Sequence, residues 1–105
     1  MNLIKIIYLV LFLFSLNINT LKADSKMEMG LDVYNNKAMC GACHTLSATG
    51  SAGEIGPNLD DIKPQISQII LAVTNGIGVM PAYEGQLSMQ EIEAVAHYVS
   101  ISANY

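Results

Sequence analysis

Two cysteines three positions apart, with a histidine directly after the second, constrain this chain more than any other feature of its sequence. The run is Cys40-Gly41-Ala42-Cys43-His44, which is the attachment pattern of a c-type haem. On one turn of helix the two thiols can reach the two vinyl groups of one porphyrin, and the adjacent imidazole then lies under the ring. The run therefore predicts one haem attached covalently through Cys40 and Cys43, with His44 as an iron ligand.

Two other uses of a Cys-x-x-Cys pair fit the sequence less well. A structural zinc site needs four ligands, and the candidates are Cys40, Cys43, His44 and His97. His44 adjoins Cys43 so closely that both could hardly reach one tetrahedral ion. A thioredoxin-like pair follows a β-strand in a βαβ pattern, whereas the residues before Cys40 have helical character and no pair of strands is recognisable. The sequence favours haem attachment.

The first 23 residues have the character of a secretory signal peptide. Lys5 precedes an uncharged, mainly apolar run from Ile6 to Leu21, and the small residue Ala23 offers a cleavage position. We therefore expect residues 1–23 to be removed on export to the periplasm, which leaves residues 24–105 as one small domain. Retention as an N-terminal anchor is the alternative, although the 16 uncharged residues are fewer than the ~20 of a membrane-spanning helix.

Cleavage would leave an acidic domain of 82 residues. It would carry three lysines against nine acidic residues, a formal charge of −6, and no arginine. Such a charge excludes nucleic acid and anionic membranes as binding partners and favours redox proteins with a basic docking surface. A domain of this size is also small for a core made of side chains alone. The haem is therefore expected to complete the core.

The apolar periodicity predicts an all-α domain of three to four short helices wrapped around one haem. A first helix is expected from about Glu28 into the cysteine run. A second helix follows Pro64, since isoleucines and a valine repeat at positions 66, 69, 70 and 73. Asn75 and Gly76 provide its end. The segment between these two helices, residues 45–63, is predicted to be an extended loop that wraps the haem.

The last helix has the clearest start signal in the chain. Ser88 followed three residues later by Glu91 has the form of a capping box, and the helix is expected to run to about Ser102. Its buried stripe is predicted at residues 92, 95, 96 and 99, with Tyr98 beside it. Residues 76–87, which contain Gly78, Pro81 and Gly85, are predicted to form a second loop. No β-strand is predicted.

At this point the sequence resembles a known family, the small class I c-type monohaem cytochromes. The resemblance runs through nearly the whole predicted domain and rests on Gly30 and Tyr34, the run from Cys40 to His44, Ile55-Gly56-Pro57-Asn58-Leu59, Asn75-Gly76-Ile77-Gly78-Val79-Met80-Pro81-Ala82-Tyr83, and Tyr98. It implies the cytochrome c fold, with Gly30 and Tyr34 meeting Tyr98 where the first and last helices cross. It also implies a monomeric electron carrier, not an enzyme, that cycles between Fe(III) and Fe(II).

The resemblance implies roles for three further residues. Met80 would be the second axial ligand, a soft thioether that raises the reduction potential relative to a second imidazole. The carbonyl of Pro57 would accept a hydrogen bond from the free ring nitrogen of His44 and fix the imidazole. Leu59 would pack on the porphyrin face. Thus the expected cofactor-binding residues are Cys40, Cys43, His44, Pro57, Leu59 and Met80, and the expected iron ligands are His44 and Met80.

Several alternatives remain open at the level of sequence. Met89 and His97 are the rivals of Met80, although Met89 is expected in the core and His97 on a helix surface. An open sixth position would make the protein a sensor or enzyme that binds small molecules, and a permanent subunit of a dehydrogenase complex is a further possibility. The runs around Cys43, Pro57 and Met80 are also similar to the periplasmic cytochromes that accept electrons from sulfite dehydrogenases.

Overall fold

The first helix begins far earlier than the sequence pattern predicted. The computed structural model describes the backbone of residues 2–104 and the side chains of residues 2–13 and 24–104. Helix α1 (Leu3–Asp32) starts at Leu3, so the expected start near Glu28 is wrong. No glycine or proline interrupts residues 3–29, and nothing in that stretch breaks a helix. Among the helices of the described residues, none is long and apolar enough to cross a membrane.

The proposed cleavage position after Ala23 lies in the middle of α1. The side chains around it, those of residues 14–23, lie outside the described residues. The division into a signal peptide of residues 1–23 and a domain of residues 24–105 therefore stays a prediction.

Helix α1 crosses the last helix, α4 (Met89–Ser102), at a glycine. A Cβ atom added at Gly30 would lie 2.3 Å from the carbonyl oxygen of Ala94 and 2.6 Å from the Cβ atom of Tyr98. The ring of Tyr34 follows about one turn later, with its centroid 6.4 Å from that of Tyr98. The predicted meeting of Gly30 and Tyr34 with Tyr98 is confirmed, and it sets the direction in which the chain approaches Cys40.

The cysteine run lies on a separate 3₁₀ turn and not on the first helix. Helix α1 continues into one π-helical turn, Val33–Lys37, after which Met39 adopts a left-handed conformation with φ 51°. Non-glycine residues rarely adopt this conformation, and here it ends the helical path. Cys40–Ala42 then forms its own turn. The prediction that the first helix would run into the cysteines is therefore wrong.

Residues 45–63, predicted as an extended loop without strands, contain regular structure. Strands β1 (Thr45–Leu46) and β2 (Ser51–Ala52) form an antiparallel hairpin, with a 3₁₀ turn at Ser47–Thr49 between them. A four-residue helix, α2 (Leu59–Ile62), follows. Asn58 caps this helix, since its side-chain oxygen accepts from the amide of Asp60 at 2.9 Å. Elements of two to four residues are too short to show hydrophobic periodicity, which is why the sequence did not reveal them.

The two later helices agree with the sequence pattern. Helix α3 (Ile66–Asn75) ends at Gly76, which has a positive φ of 73°. Helix α4 carries the predicted capping box: the Ser88 hydroxyl accepts from the Glu91 amide at 3.1 Å, and the Glu91 carboxylate accepts from the Ser88 amide at 3.0 Å. The predicted stripe at residues 92, 95, 96 and 99 is buried, together with Tyr98.

Met89 does not belong to the core, contrary to the prediction. Its side chain is 59% exposed, whereas burial along α4 begins at Ile92. The spacing of three residues placed Met89 on the buried stripe, but it is the first residue of the helix and the neighbouring elements do not cover it. The all-α fold class is confirmed, since α4 packs between α1 and α3 and the hairpin contributes only four strand residues to the described chain.

Candidate haem site

A cavity of about 900 Å³ lies between the cysteine turn, helices α2 to α4, and the second loop. This volume falls within the roughly 300 to 1,000 Å³ of cofactor pockets. All six residues that the sequence predicted for the site line the cavity: Cys40, Cys43, His44, Pro57, Leu59 and Met80. The fold therefore brings together residues that lie as much as forty positions apart in the chain.

The two cysteines lie at the cavity wall, where both are partly buried and neither forms a disulfide. The carbonyl of Cys40 accepts hydrogen bonds from the amides of both Cys43 and His44, at 3.1 and 2.9 Å, and these bonds hold the run in a compact turn. Burial raises the pKa of the Cys40 thiol to about 11, because a thiolate there would lose its hydration. The turn thus places both sulfur-bearing residues at the wall of one cavity, where a porphyrin edge can meet them.

The imidazole of His44 is fixed by the predicted contact with Pro57. Nδ1 lies 2.7 Å from the Pro57 carbonyl oxygen, and because a carbonyl can only accept, Nδ1 carries the hydrogen of this bond. The other ring nitrogen, Nε2, is then unprotonated in the neutral ring and has the lone pair that a metal requires. The hydrogen bond thus selects the tautomer that is suited to ligate iron.

Gly56 is a part of the site that the sequence reasoning did not identify. A Cβ atom added there would lie 2.5 Å from Cε1 and 2.8 Å from Nδ1 of His44, distances that no real Cβ atom tolerates. The Gly56 amide donates to the Cys43 carbonyl at 2.7 Å, which draws the backbone against the imidazole. A glycine directly before Pro57 was the available signal, because glycine permits such a close approach.

Met80 reaches the cavity from residues 76–87, which we call the Met80 loop. Ile77 and Met80 exchange two backbone hydrogen bonds of 2.9 and 3.1 Å, and these form a tight turn around Gly78, whose φ is 56°. The side chain of Met80 is partly buried and lines the cavity. Its two rivals, Met89 and His97, are not among the residues that line it.

Most of the remaining cavity wall is apolar, and part of it belongs to the hydrophobic core. Leu59 contributes from α2, and α3 and α4 contribute the buried residues Ile69, Val73, Val95 and Val99. Gln68 is a polar residue of the same wall. No lysine, aspartate or glutamate of the described residues lines the cavity. An apolar slot with two thiols, one oriented imidazole and one thioether at its walls fits the donor set and the shape of a covalently attached haem.

Comparisons with known proteins identify relatives of this chain. The family described as "Cytochrome C oxidase, cbb3-type, subunit III" matches residues 25–99. Cytochrome c6 of Leptolyngbya boryana is 36% identical over 74 residues, which cover 67% of this chain and 85% of that protein. Cytochrome c6 of Microcystis aeruginosa is 49% identical over 41 residues, 39% of this chain and 51% of that protein. The chain thus spans about half the length of the Microcystis relative.

A solved structure also shares the fold. The c-type cytochrome SorU from Sinorhizobium meliloti superposes with a TM-score of 0.72 and is 46% identical, over 76% of this chain and 93% of SorU. The cytochrome c fold implied by the sequence is therefore confirmed. The chain belongs to the c-type cytochromes, as a small class I member that carries one haem c bound covalently through Cys40 and Cys43.

Proposed function

We propose that this electron-transfer cytochrome is a periplasmic carrier whose haem iron is ligated by His44 and Met80. The observation that carries the proposal is that these two side chains, from different loops, line one cavity that also holds both thiols. When bound, the haem supplies a one-electron change between Fe(III) and Fe(II). Every other contribution comes from the chain, which orients the ligands and surrounds them with apolar groups.

The two ligands have complementary roles in this proposal. His44 offers Nε2 in a fixed orientation, because its Nδ1 hydrogen is engaged by Pro57, and such an outer partner raises the basicity of the ligand. Met80 offers a neutral, soft thioether that favours Fe(II) over Fe(III) relative to a second imidazole. The apolar wall disfavours net charge in the cavity, which favours the same redox state. A closed pair of ligands suits a carrier and leaves no position for a substrate.

The periplasmic location rests on the apolar, signal-like character of residues 6–21.

The proposed redox partners follow from the acidic charge of the protein and from its resemblance to known cytochromes. Nine acidic residues against few lysines favour docking to basic surfaces on redox proteins. The similarity to the cytochromes that accept electrons from sulfite dehydrogenases, together with 46% identity to SorU, supports a sulfite dehydrogenase as the electron donor of a monomeric carrier.

A fixed subunit of a redox complex is the second candidate, because the matching family is described as an oxidase subunit. Size-exclusion chromatography of the native protein distinguishes a free carrier from a fixed subunit. A carrier elutes at the size of a small monomer, whereas a subunit elutes with a larger complex.

The ligand assignment is tested by the absorption spectrum of the purified ferric holoprotein. We expect the weak long-wavelength band of methionine bound to Fe(III). Met80→Ala should abolish this band and allow carbon monoxide to bind the reduced protein, whereas the matched variant Met89→Ala should resemble the wild type. A high-spin wild-type spectrum that changes on adding carbon monoxide would instead indicate a small-molecule sensor or enzyme.

The donor is tested separately by steady-state reduction with a sulfite dehydrogenase. We expect faster reduction than with an unrelated cytochrome c under the same conditions. Equal rates would exclude the proposed donor and leave the ligand assignment untouched.

A further inference from the structure

One tyrosine side chain joins the Met80 loop to the backbone that precedes the haem-attachment turn. The hydroxyl of Tyr83 donates to the carbonyl oxygen of Ala38 at 3.1 Å, across 45 residues of sequence. Tyr83 lies three residues after Met80, and Ala38 lies two residues before Cys40. Among the hydrogen bonds of the described residues, this one directly connects the segment of the sixth ligand with the segment of the covalent attachment.

The Ala38 carbonyl is free to accept this bond because the helical path ends beside it. The last carbonyls of a helix have no intrahelical partner, and the left-handed conformation of Met39 turns the following chain away. Ala38 is partly buried, so its carbonyl gains from a protein donor. The helix break that positions Cys40 thus also creates the acceptor for Tyr83.

Tyr83 does not depend on its hydroxyl to keep its place in the fold. Its amide donates to the Val73 carbonyl of α3 at 2.8 Å, and its own carbonyl accepts from the amides of Gln86 and Leu87 at 3.0 and 2.9 Å. Its ring is partly buried and lines the haem cavity. A phenylalanine would therefore keep these backbone bonds and the ring, and would lose only the bond to Ala38.

The Met80 loop has few contacts with the rest of the protein outside its base. Its tip residues Ile77 and Val79 line the haem cavity and have little cover from other protein atoms. Apart from the tight turn between Ile77 and Met80, the backbone of the loop is bonded at its base, where Tyr83 and Glu84 bond to the end of α3. Segments with few buried contacts open most readily, so the bond from Tyr83 to Ala38 should help to keep the loop closed.

We propose that Tyr83 is a positioning residue that holds the Met80 loop against the backbone before Cys40 and so sets how readily Met80 leaves the iron. The inference rests on the proposed ligation by Met80. An external ligand can bind only when the loop has opened, so its apparent affinity scales with the open fraction. Loss of one neutral hydrogen bond should raise that fraction about 2- to 12-fold.

The test is an imidazole titration of the ferric holoprotein in wild type, Tyr83→Phe and Tyr34→Phe. Binding is monitored through the loss of the methionine-to-iron absorption band. Tyr34 is the matched control, because it also lines the cavity and its hydroxyl also makes a hydrogen bond, to Ser51 Oγ at 2.9 Å. That bond ties the π-helical turn (Val33–Lys37) to the hairpin and does not involve the Met80 loop. We expect the imidazole midpoint to fall about 2- to 12-fold for Tyr83→Phe and to stay unchanged for Tyr34→Phe.

Thermal unfolding of the same three proteins separates positioning from general stability. We expect both variants to be less stable than the wild type, and only in Tyr83→Phe do we expect Met80 to leave the iron more readily. An unchanged midpoint for Tyr83→Phe, or an equal shift for Tyr34→Phe, would overturn the inference while the ligation by Met80 stands. A wild type that lacks the methionine band would overturn both the ligation and the inference.

Discussion

The two sides of the haem cavity are built in contrasting ways. On one side, the proximal segment (residues 40–59) is cross-linked by short hydrogen bonds, including 2.7 Å bonds from Gly56 to Cys43 and from His44 to Pro57. On the other side, the Met80 loop is bonded to the rest of the protein mainly at its base, and its tip residues Ile77 and Val79 line the cavity with little cover from other protein atoms. The proximal segment also carries the covalent attachment, whereas the Met80 loop lines the cavity without a covalent link to the haem.

This contrast predicts that the two proposed iron ligands, His44 and Met80, differ in how firmly the protein holds them. His44 is fixed by its neighbours in sequence, by a carbonyl and by a glycine that admits no side chain. Met80 is fixed by a tight turn and by contacts at the base of its loop. Local opening should therefore release Met80 well before His44, since regions with fewer buried contacts open at lower free energy.

The largest effect is expected when the covalent attachment is removed. The double variant Cys40→Ala, Cys43→Ala would leave a cavity of about 900 Å³ against core residues such as Val95 and Val99. Water would have to enter this apolar space, and a domain of this size has little other core. We expect a largely unfolded chain by far-ultraviolet circular dichroism. A helical apo-protein that melts cooperatively would show that the side chains alone suffice.

A smaller effect is expected from paired glycine variants on the two sides. Gly56→Ala would force a Cβ atom into the imidazole of His44, and overpacking of this kind costs about 1–3 kcal/mol. Gly78→Ala meets no protein atom within 4 Å, so within the polypeptide its φ of 56° opposes the change, at about 1–2 kcal/mol.

Denaturant unfolding of the two holoproteins measures these costs, and their visible spectra report on the ligands. Gly56→Ala should perturb the haem spectrum through His44, and Gly78→Ala should affect Met80 alone. If Gly78→Ala proved the more disruptive of the two, the Met80 loop and not the proximal segment would be the tightly packed side.

The smallest effect is expected at an ion pair outside the cavity. Lys37 donates to the Glu91 carboxylate, which links the end of the π-helical turn to the start of α4. The hydrogen bond from Lys37, followed by that from the Ser88 amide, lowers the pKa of Glu91 from 4.5 to about 2. A carboxylate with a lowered pKa stabilises the fold above its ordinary pKa, and this contribution is lost as the pH falls towards 2.

Glu91→Gln isolates this pair, because glutamine keeps the capping box with Ser88. We expect a small loss of stability at neutral pH, as for exposed pairs in general, and a difference from wild type that shrinks between pH 4.5 and 2. Urea unfolding across that range measures it. The imidazole midpoint should stay at the wild-type value. A shift as large as that of Tyr83→Phe would mean that the ion pair holds the Met80 loop as strongly as Tyr83 does.

Much of the site could be predicted from the sequence, because its signals are local. The haem-attachment run, the capping box at Ser88 and the glycine that ends α3 each depend on residues a few positions apart. The short elements between His44 and Pro64 escaped prediction, because strands of two residues and a helix of four are too short to show hydrophobic periodicity. The prediction that Met89 lies in the core was wrong, because hydrophobic periodicity does not indicate how far along α4 the neighbouring elements cover its apolar face.

The sequence by itself determined the haem chemistry of this protein, and the tertiary structure decided how firmly the residues that bind the haem are fixed. Two thiols and an imidazole within five residues specify a haem before any packing is known, because the short chain between them keeps the three groups close together. The contact of Gly56 with His44, and the bond from Tyr83 to Ala38 across 45 residues, arise only when separate segments meet. A glycine before Pro57 was a signal for the first contact, but nothing in the sequence indicates which backbone carbonyl Tyr83 meets, so only the packed structure reveals that bond.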